Sequence, residues 1–308
     1  MVISRLLGGL GNQMFQYAAA RALSLRKGAK LALDVSAFDQ YELHQGFELK
    51  KVFNCTFEVA SKADINSVLG WQSAVTIQRI VSRKPFSLFI RKHFIAEPHF
   101  KYWSGLNNLK NDCYLSGYWQ SEKYFVDFID QIREDFQFRH RLEGKNVELA
   151  DKIMAVNAVS LHVRRGDYIN NPKTMATHGL CTLEYYRDAI QYVANRVEQP
   201  QFFIFSDDIE WVKNNLKIDF PHAYVQHNRD KESYNDMHLM SLCQHHIIAN
   251  SSFSWWGAWL NPNREKIVVA PRKWFVNSTD VGDLLPEGWV TLCVLTGITD
   301  TIWRLEIR

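Results

Sequence analysis

The chain lacks most of what would mark it as secreted, membrane-spanning or nucleic-acid-binding. Its five cysteines, Cys55, Cys113, Cys181, Cys243 and Cys293, are scattered and odd in number, and none stands in a C-x-x-C pair. That pattern excludes a disulfide framework and a structural zinc site, and it fits a reducing cytosol. No apolar run approaches the roughly 18 residues that a bilayer-spanning helix needs. The opening residues lack a basic stretch followed by a long apolar core, because Asn12 and Gln13 interrupt them early. Thirty-six basic minus thirty-three acidic residues leave a net charge of +3, too balanced for a nucleic-acid partner. There is no internal repeat, low-complexity tract or glycine-serine linker.

What is present is a globular composition: 46% hydrophobic and 22% charged residues in 308, enough for two domains of ordinary size. The second half alternates regularly. Strands are expected at 158–163, 201–205, 222–227, 246–249 and 266–270, with helices at 182–197, 208–216, 233–243 and 252–260. Such alternation implies a parallel, doubly wound sheet, one Rossmann-type domain. The first half opens as strand, glycine turn, alanine-rich helix from Met14 to Lys27 and second strand, with Gly28 as the helix stop. Residues 36–110 show no clean period. A strand is expected from Cys113, a helix over 121–137 capped by Ser121, and a connection over 139–157. The domains are therefore placed at 1–150 and 151–308.

Two motifs carry chemistry. His162-Val-Arg164-Arg165-Gly-Asp167 follows the strand at 158–163, and ligands of α/β sheets bind beyond the carboxyl ends of strands. A guanidinium there matches two phosphate oxygens at once. The alternative is an arginine pair bonded to carboxylates, with Asp167 nearest. The second motif, Gly8-Gly-Leu-Gly11-Asn12-Gln13, lies at a strand-to-helix turn, where backbone N–H groups and the helix dipole favour an anion. Together they suggest one anionic ligand held between the two halves.

With both motifs in view the chain resembles the α-1,2-fucosyltransferases. The likeness rests on Gly8-Gly-Leu-Gly-Asn-Gln-Met-Phe-Gln, His162-Val-Arg-Arg-Gly-Asp-Tyr, Phe205-Ser-Asp-Asp and Asn250-Ser-Ser-Phe-Ser-Trp-Trp-Gly-Ala-Trp-Leu, in that order. The resemblance implies a GT-B-like α/β architecture of two Rossmann-type domains with the donor site in the cleft between them. It implies an acceptor-side N-terminal domain and a nucleotide-sugar C-terminal domain. GDP-fucose would be the donor and a galactose-terminated oligosaccharide the acceptor, with inversion, no metal and no further cofactor.

The resemblance also assigns residues. Arg164 would stabilise the departing diphosphate, a task other transferases give to a divalent metal, with His162 beside the nucleotide and Arg165 at the donor. Gly11 and Asn12 would reach the donor as in the related protein O-fucosyltransferases, with Gln13 beside them at a backbone nest. Asp236 would accept from guanine N1–H and its amine; surface solvation is the alternative. Asn250, Ser251, Ser252 and Phe253, at the start of a helix, would hold the diphosphate, although a serine there also serves as a cap. Of Trp255, Trp256 and Trp259, two read as packing, with a sugar-stacking platform as the alternative. In Ser206-Asp207-Asp208-Ile-Glu210 the spacing of Asp207 and Glu210 favours a capping box over a metal site. No general base is assigned; Asp34, Asp39 and His44 are candidates, and acceptor choice belongs to residues 36–110.

Residues 79–92 mix basic and apolar side chains without an acid, which allows a weak peripheral contact at the inner membrane face. Two rival functions remain. Gly9-Leu-Gly11 followed by Asp34 imitates a dinucleotide fingerprint, but Met14 stands where a small residue is needed. A carbohydrate-binding module is suggested by 13% aromatic residues and explains no phosphate site.

Overall fold

A computed structural model describes residues 1–39, 45–74, 77, 93–109, 112–277, 279–292 and 306–307. His44, Cys293 and the basic-apolar stretch at 79–92 lie outside the described residues. The chain divides into two compact units, 1–139 with 280–284, and 140–279 with 285–308. The division falls ahead of the expected 150/151 boundary, because residues 145–154 form a helix packed within the second unit.

The first unit contains β1 (Val2–Arg5), α1 (Leu10–Lys27), β2 (Leu31–Asp34), β3 (Glu58–Val59), α2 (Lys62–Leu69), β4 (Phe94–Ala96), β5 (Cys113–Ser116) and α3 (Ile129–Asp135). The strands form a parallel sheet in the order β3-β2-β1-β5-β4. Gly28, in the left-handed region at φ 58°, ends α1 as expected, its N–H donating back to the last turn. α1 begins at Leu10 rather than Met14, so Gly11, Asn12 and Gln13 belong to its first turn. Residues 121–137 are not one helix; two 3-10 turns precede the short α3, and Ser121 Oγ accepts from Lys123 N at 3.3 Å. α2 carries a full capping box between Ser61 and Asp64, a helix-start signal visible in the sequence.

The second unit contains α4 (Lys145–Met154), β6 (Ala158–Val163), α5 (Leu183–Ala194), β7 (Gln201–Ser206), α6 (Ile209–Asn215), β8 (His222–Val225), α7 (Tyr234–Leu242), β9 (His245–Ile247), α8 (Ser252–Leu260), β10 (Val268–Pro271) and β11 (Val290–Leu292). Two short helices, Gly166–Asn170 and Pro172–His178, follow β6. The sheet runs β11-β10-β9-β6-β7-β8 in parallel, with an antiparallel edge strand at Glu306–Ile307 beside β11. The chain winds from β6 outward through β7 and β8, then returns to β9 and winds the other way. The switch point therefore lies between β6 and β9, where an open α/β sheet offers its ligand crevice.

Both faces of this sheet are covered, which is why its strands read as continuous apolar runs rather than alternating ones. On one face Val159, Leu161, Phe202 and Ile204 pack against Tyr186, Ile190 and Val193 of α5; on the other Phe203 and Phe205 meet Leu239 and Met240 of α7 and Ile153 of α4. Trp255, Trp256 and Trp259 are all buried in a cluster with Trp289. Packing thus takes all three tryptophans. Gly257 lets α8 approach α7, since a Cβ there would meet Met240 Cβ at 3.0 Å.

Candidate functional site

The charged centre of the second unit grows out of strand register. β6 and β7 are parallel with His162 opposite Phe205 and Val163 opposite Ser206. Continuing that pairing puts Arg164 opposite Asp207 and Arg165 opposite Asp208. The ion pairs follow: Arg164 Nε lies 3.4 Å from Asp207 Oδ2, and Arg165 Nε lies 3.4 Å from Asp208 Oδ2. The arginines' carboxylate partners thus come from the neighbouring strand. Asp207 Oδ1 also accepts from Arg165 N at 2.9 Å. Gly166 fits against this loop because a Cβ would meet Asp207 O at 3.3 Å.

The two arginines take different partners. Arg165 lies with its guanidinium carbon 4.1 Å from the Trp211 ring centroid, a stacking contact with α6. Arg164 remains with Asp207 beside His162. Burial raises the cost of charge on Asp207, yet the Arg164 guanidinium and the Arg165 and Gly166 N–H groups hold it below the usual carboxylate range. His162 is buried and packs against Phe253, ring centroids 6.0 Å apart. Burial first, and then Arg164, push its pKa down to about 3, with Asp207 pulling the other way. At neutral pH the imidazole is therefore uncharged, and its buried Nδ1 has no hydrogen-bond partner among the described residues. This arrangement offers a fixed cation, a counter-carboxylate that orients it, and a neutral ring alongside.

Across the switch point, β9 leads into Asn250 and α8. Ser251 caps α8 by accepting from Phe253 N at 3.3 Å. Ser252 and Phe253 occupy its first turn, where N–H groups favour an anion. Asn250 does something else. Its buried Nδ2 donates to His178 O at 2.9 Å and to Trp274 O at 3.3 Å, and Cys181 Sγ donates to its Oδ1 at 3.4 Å. Tyr168 Oη donates to Asn250 O at 3.0 Å. Its side chain thus ties two segments, 178–181 and the one holding Trp274, to the head of α8, and its main-chain oxygen takes Tyr168 as a third.

Asp236 sits in the first turn of α7 and accepts from Asn228 Nδ2 at 2.8 Å. Burial pushes its pKa up to about 7, against the lowering effect of that amide. At 207–210 the cap of α6 is Asp208, which accepts from Trp211 N at 3.3 Å; Glu210 instead pairs with Lys213 at 2.6 Å. The expected Asp207–Glu210 box is displaced because α6 starts one residue later, leaving Asp207 for the arginine. Among the described residues no three His, Cys, Asp or Glu side chains converge as a metal would require.

In the first unit the glycine loop sits at the switch point between β1 and β5. Asn12 N and Gln13 N both donate to Gly9 O, at 2.9 and 3.1 Å, so these two amides do not form an open nest. Gln13 is fully buried. It donates to Gly8 O and Gly46 O at 3.0 and 2.8 Å and accepts from Glu48 N at 3.0 Å, which makes it a loop brace. Asn12 Oδ1 accepts from Gln120 Nε2 at 2.7 Å. Gly11 is buried in the first turn of α1. Of the general-base candidates, Asp34 is buried and accepts from Tyr114 Oη and Ser36 N, a structural role.

The family model described as glycosyl transferase family 11 matches residues 2–292. The chain belongs to that family. This family 11 glycosyltransferase is 39% identical over 301 residues to an alpha-1,2-colitosyltransferase of Escherichia coli, covering 95% of this chain and 99% of that one. It is 36% identical over 304 residues to the Escherichia coli O-antigen biosynthesis glycosyltransferase WbnK, covering 94% and 99%. It is 24% identical over 261 residues to galactoside alpha-(1,2)-fucosyltransferase 1 of Saimiri boliviensis boliviensis, covering 82% and 63%. Among solved structures, NodZ alpha-1,6-fucosyltransferase soaked with GDP-fucose superposes with a TM-score of 0.53 at 16% identity, over 85% of this chain and 92% of that one. That likeness establishes the GT-B-like α/β fold. Family membership sets aside the dinucleotide and lectin-like alternatives.

Sequence reasoning missed Asp207 as the partner of Arg164, Trp211 as the platform for Arg165, and the Asn146–Asn228 amides beside Asp236. The first was within reach. Parallel pairing of the strands that end at Val163 and Ser206 puts the residues that follow them at one height.

Proposed function

We propose that this enzyme transfers L-fucose from GDP-β-L-fucose to the 2-hydroxyl of a galactose residue in a glycan acceptor, with inversion and without a metal. The acceptor oxygen attacks the fucose anomeric carbon and gives up its proton to the departing diphosphate or to water, while the bond to the β-phosphate oxygen breaks and GDP leaves with the electron pair. Arg164 stabilises the charge that develops on that diphosphate, held in place by Asp207. Ser251, Ser252 and the first-turn amides of α8 hold the phosphates, and Asp236 reads the guanine edge. The observation that carries this reading is the Arg164–Asp207 pair beside neutral His162 at the switch point of the second sheet. Gly11 and Asn12 of the first unit are assigned to the donor as well.

A second reading has its own support. The 39% identical relative is a colitosyltransferase, and colitose is fucose without its 3-hydroxyl. The same leaving group and linkage would then serve a deoxygenated sugar. The deciding experiment supplies purified enzyme with GDP-fucose or GDP-colitose and lactose, followed by linkage analysis of the product. Fucose on O2 of galactose is expected. Transfer from GDP-colitose alone would favour the second reading. Linkage to another hydroxyl, or turnover with neither donor across a panel of galactosides, would overturn the proposal.

A further inference from the structure

Asp236 is the end of a chain of side-chain amides. Asn228 Nδ2, which donates to its Oδ1, directs its other hydrogen to Asn146 Oδ1, also at 2.8 Å. Asn146 Nδ2 donates back to Asn228 Oδ1 at 2.9 Å, so the two primary amides close a reciprocal ring. His227 Nε2 reaches the same Asn146 Oδ1 at 2.8 Å. An amide oxygen only accepts, so His227 carries its proton on Nε2. Burial and the nearby Lys145 ammonium lower its pKa, which favours that neutral form.

Each assignment forces the next. A carboxylate at Asp236 requires nitrogen on the facing side of Asn228, which orients Asn146, which orients His227. Turning either amide over would set oxygen against oxygen. The participants come from separate elements: Asn146 from the first turn of α4, His227 and Asn228 from the loop after β8, Asp236 from the first turn of α7. Asn146, His227 and Asn228 border an open cleft of about 480 Å³ lined also by Arg141, Lys145, Glu232 and Tyr234, and Asp236 stands behind Asn228. Asn228 is only half-buried beside that cleft. Water could satisfy its amide there, so burial alone does not require the ring.

We infer that Asn228, braced by Asn146, is a positioning residue that aims the Asp236 carboxylate at the nucleobase and thereby sets the preference for guanine. The inference rests on the assignment of Asp236 to the guanine edge. Guanine presents N1–H and a 2-amino group side by side, and one carboxylate meets both only if its plane is fixed. A hydrogen bond to one oxygen from a rigid amide fixes that plane. Hypoxanthine lacks the 2-amino group and gains less from it.

The test compares GDP with inosine diphosphate as competitive inhibitors of the full-length enzyme, together with KM and kcat for GDP-fucose. Losing a hydrogen bond to a charged group is worth about a tenfold or greater change in affinity. Asn228→Leu and Asn146→Ala are each expected to raise KM for GDP-fucose about tenfold and to leave kcat within roughly twofold. Both should move the GDP-over-inosine-diphosphate preference toward that of Asp236→Asn. Asn228→Ser, which keeps one donor, should recover part of it. If Asp236→Asn erases the preference while Asn228→Leu and Asn146→Ala retain it, the positioning role is overturned and the base contact stands. If Asp236→Asn itself retains the preference, the base contact falls and the positioning role with it. Should Asn228→Leu fail to fold, the Asn146→Ala ratio decides.

Discussion

Arg164 stands opposite Asp207 because β6 and β7 run parallel in an unbroken register, each strand delivering one charge at the same height. Neither residue would serve alone. A guanidinium at a strand end with no counter-carboxylate would have no fixed direction, and Asp207 without the arginine would lose the strongest of the interactions that hold its carboxyl below the usual range. The pair presents an oriented cation at the switch point of the sheet.

The first prediction concerns that cation. Arg164→Ala should fold with an unchanged melting temperature to within a few degrees and lose about 10²–10³-fold in kcat, as removal of a transition-state donor does. The same variant should raise the pKa of His162, because Arg164 is the second cause holding it down. Activity assays and NMR titration of the imidazole check the two halves. Turnover near that of the parent enzyme would remove Arg164 from the mechanism.

His162 also shapes acid stability. Its folded pKa of about 3 lies below the roughly 6.5 of an unfolded histidine. The unfolded chain therefore binds the proton more readily, and stability is lost as pH falls from about 6.5 toward 3. His162→Gln should lack this component. Denaturant midpoints at pH 7 and pH 4.5 should converge in the variant relative to the parent. An equal acid loss in both would show that His162 is not the titrating group.

Asp236 shows the opposite sign. Its pKa of about 7 lies above the roughly 3.9 of an unfolded aspartate, so it contributes stability below that value which is lost as pH rises through 7. Asp236→Asn should therefore gain stability relative to the parent at pH 8 and differ least near pH 4. With the Asp236 carboxylate on the guanine edge as proposed, GDP binding should weaken in the parent as pH falls below about 7 and stay flat in the variant. Calorimetric titration across that range decides the matter.

In the first unit a buried ion pair joins α1 to α3. Arg21 Nε lies 2.8 Å from Asp135 Oδ2, and Tyr17 Oη donates to the same oxygen at 2.8 Å. Asp135→Ala would leave the half-buried Arg21 and the buried Tyr17 hydroxyl without their shared acceptor and cost about 3 kcal/mol. Thermal unfolding should show a marked drop. A shift of a degree or less would mean that water reaches Arg21.

Metal dependence is read directly. Activity is expected to survive excess EDTA, with the diphosphate charge met by Arg164. Loss of activity that manganese or magnesium restores would instead assign that charge to a metal.

Much of the second unit was legible because its strands and helices alternate with strong periods. α5 shows this: Tyr186, Ile190 and Val193 recur on one face and all meet the sheet. The first unit was read less well. Helix 121–137 dissolves into two 3-10 turns and α3, because Phe125 and Phe128 adopt non-helical backbone at the joints. Gln13 and Asn250 show that an amide bracing loops and an amide meeting a ligand look alike in one dimension. Only the partners, Gly46 and Glu48 for one and Trp274 and Cys181 for the other, reveal braces.

By itself the order of residues determined the winding of the second sheet, the glycine turn, the caps at Ser121 and Ser251, and the place of the arginines at a strand end. These follow from local periodicity and backbone preference, which act over a few residues. The tertiary structure alone decided which acid faces Arg164, which arginine stacks on Trp211, and how Asn146 reaches Asn228. Those choices depend on register and on contacts between segments some forty to eighty residues apart, where no short-range propensity reaches.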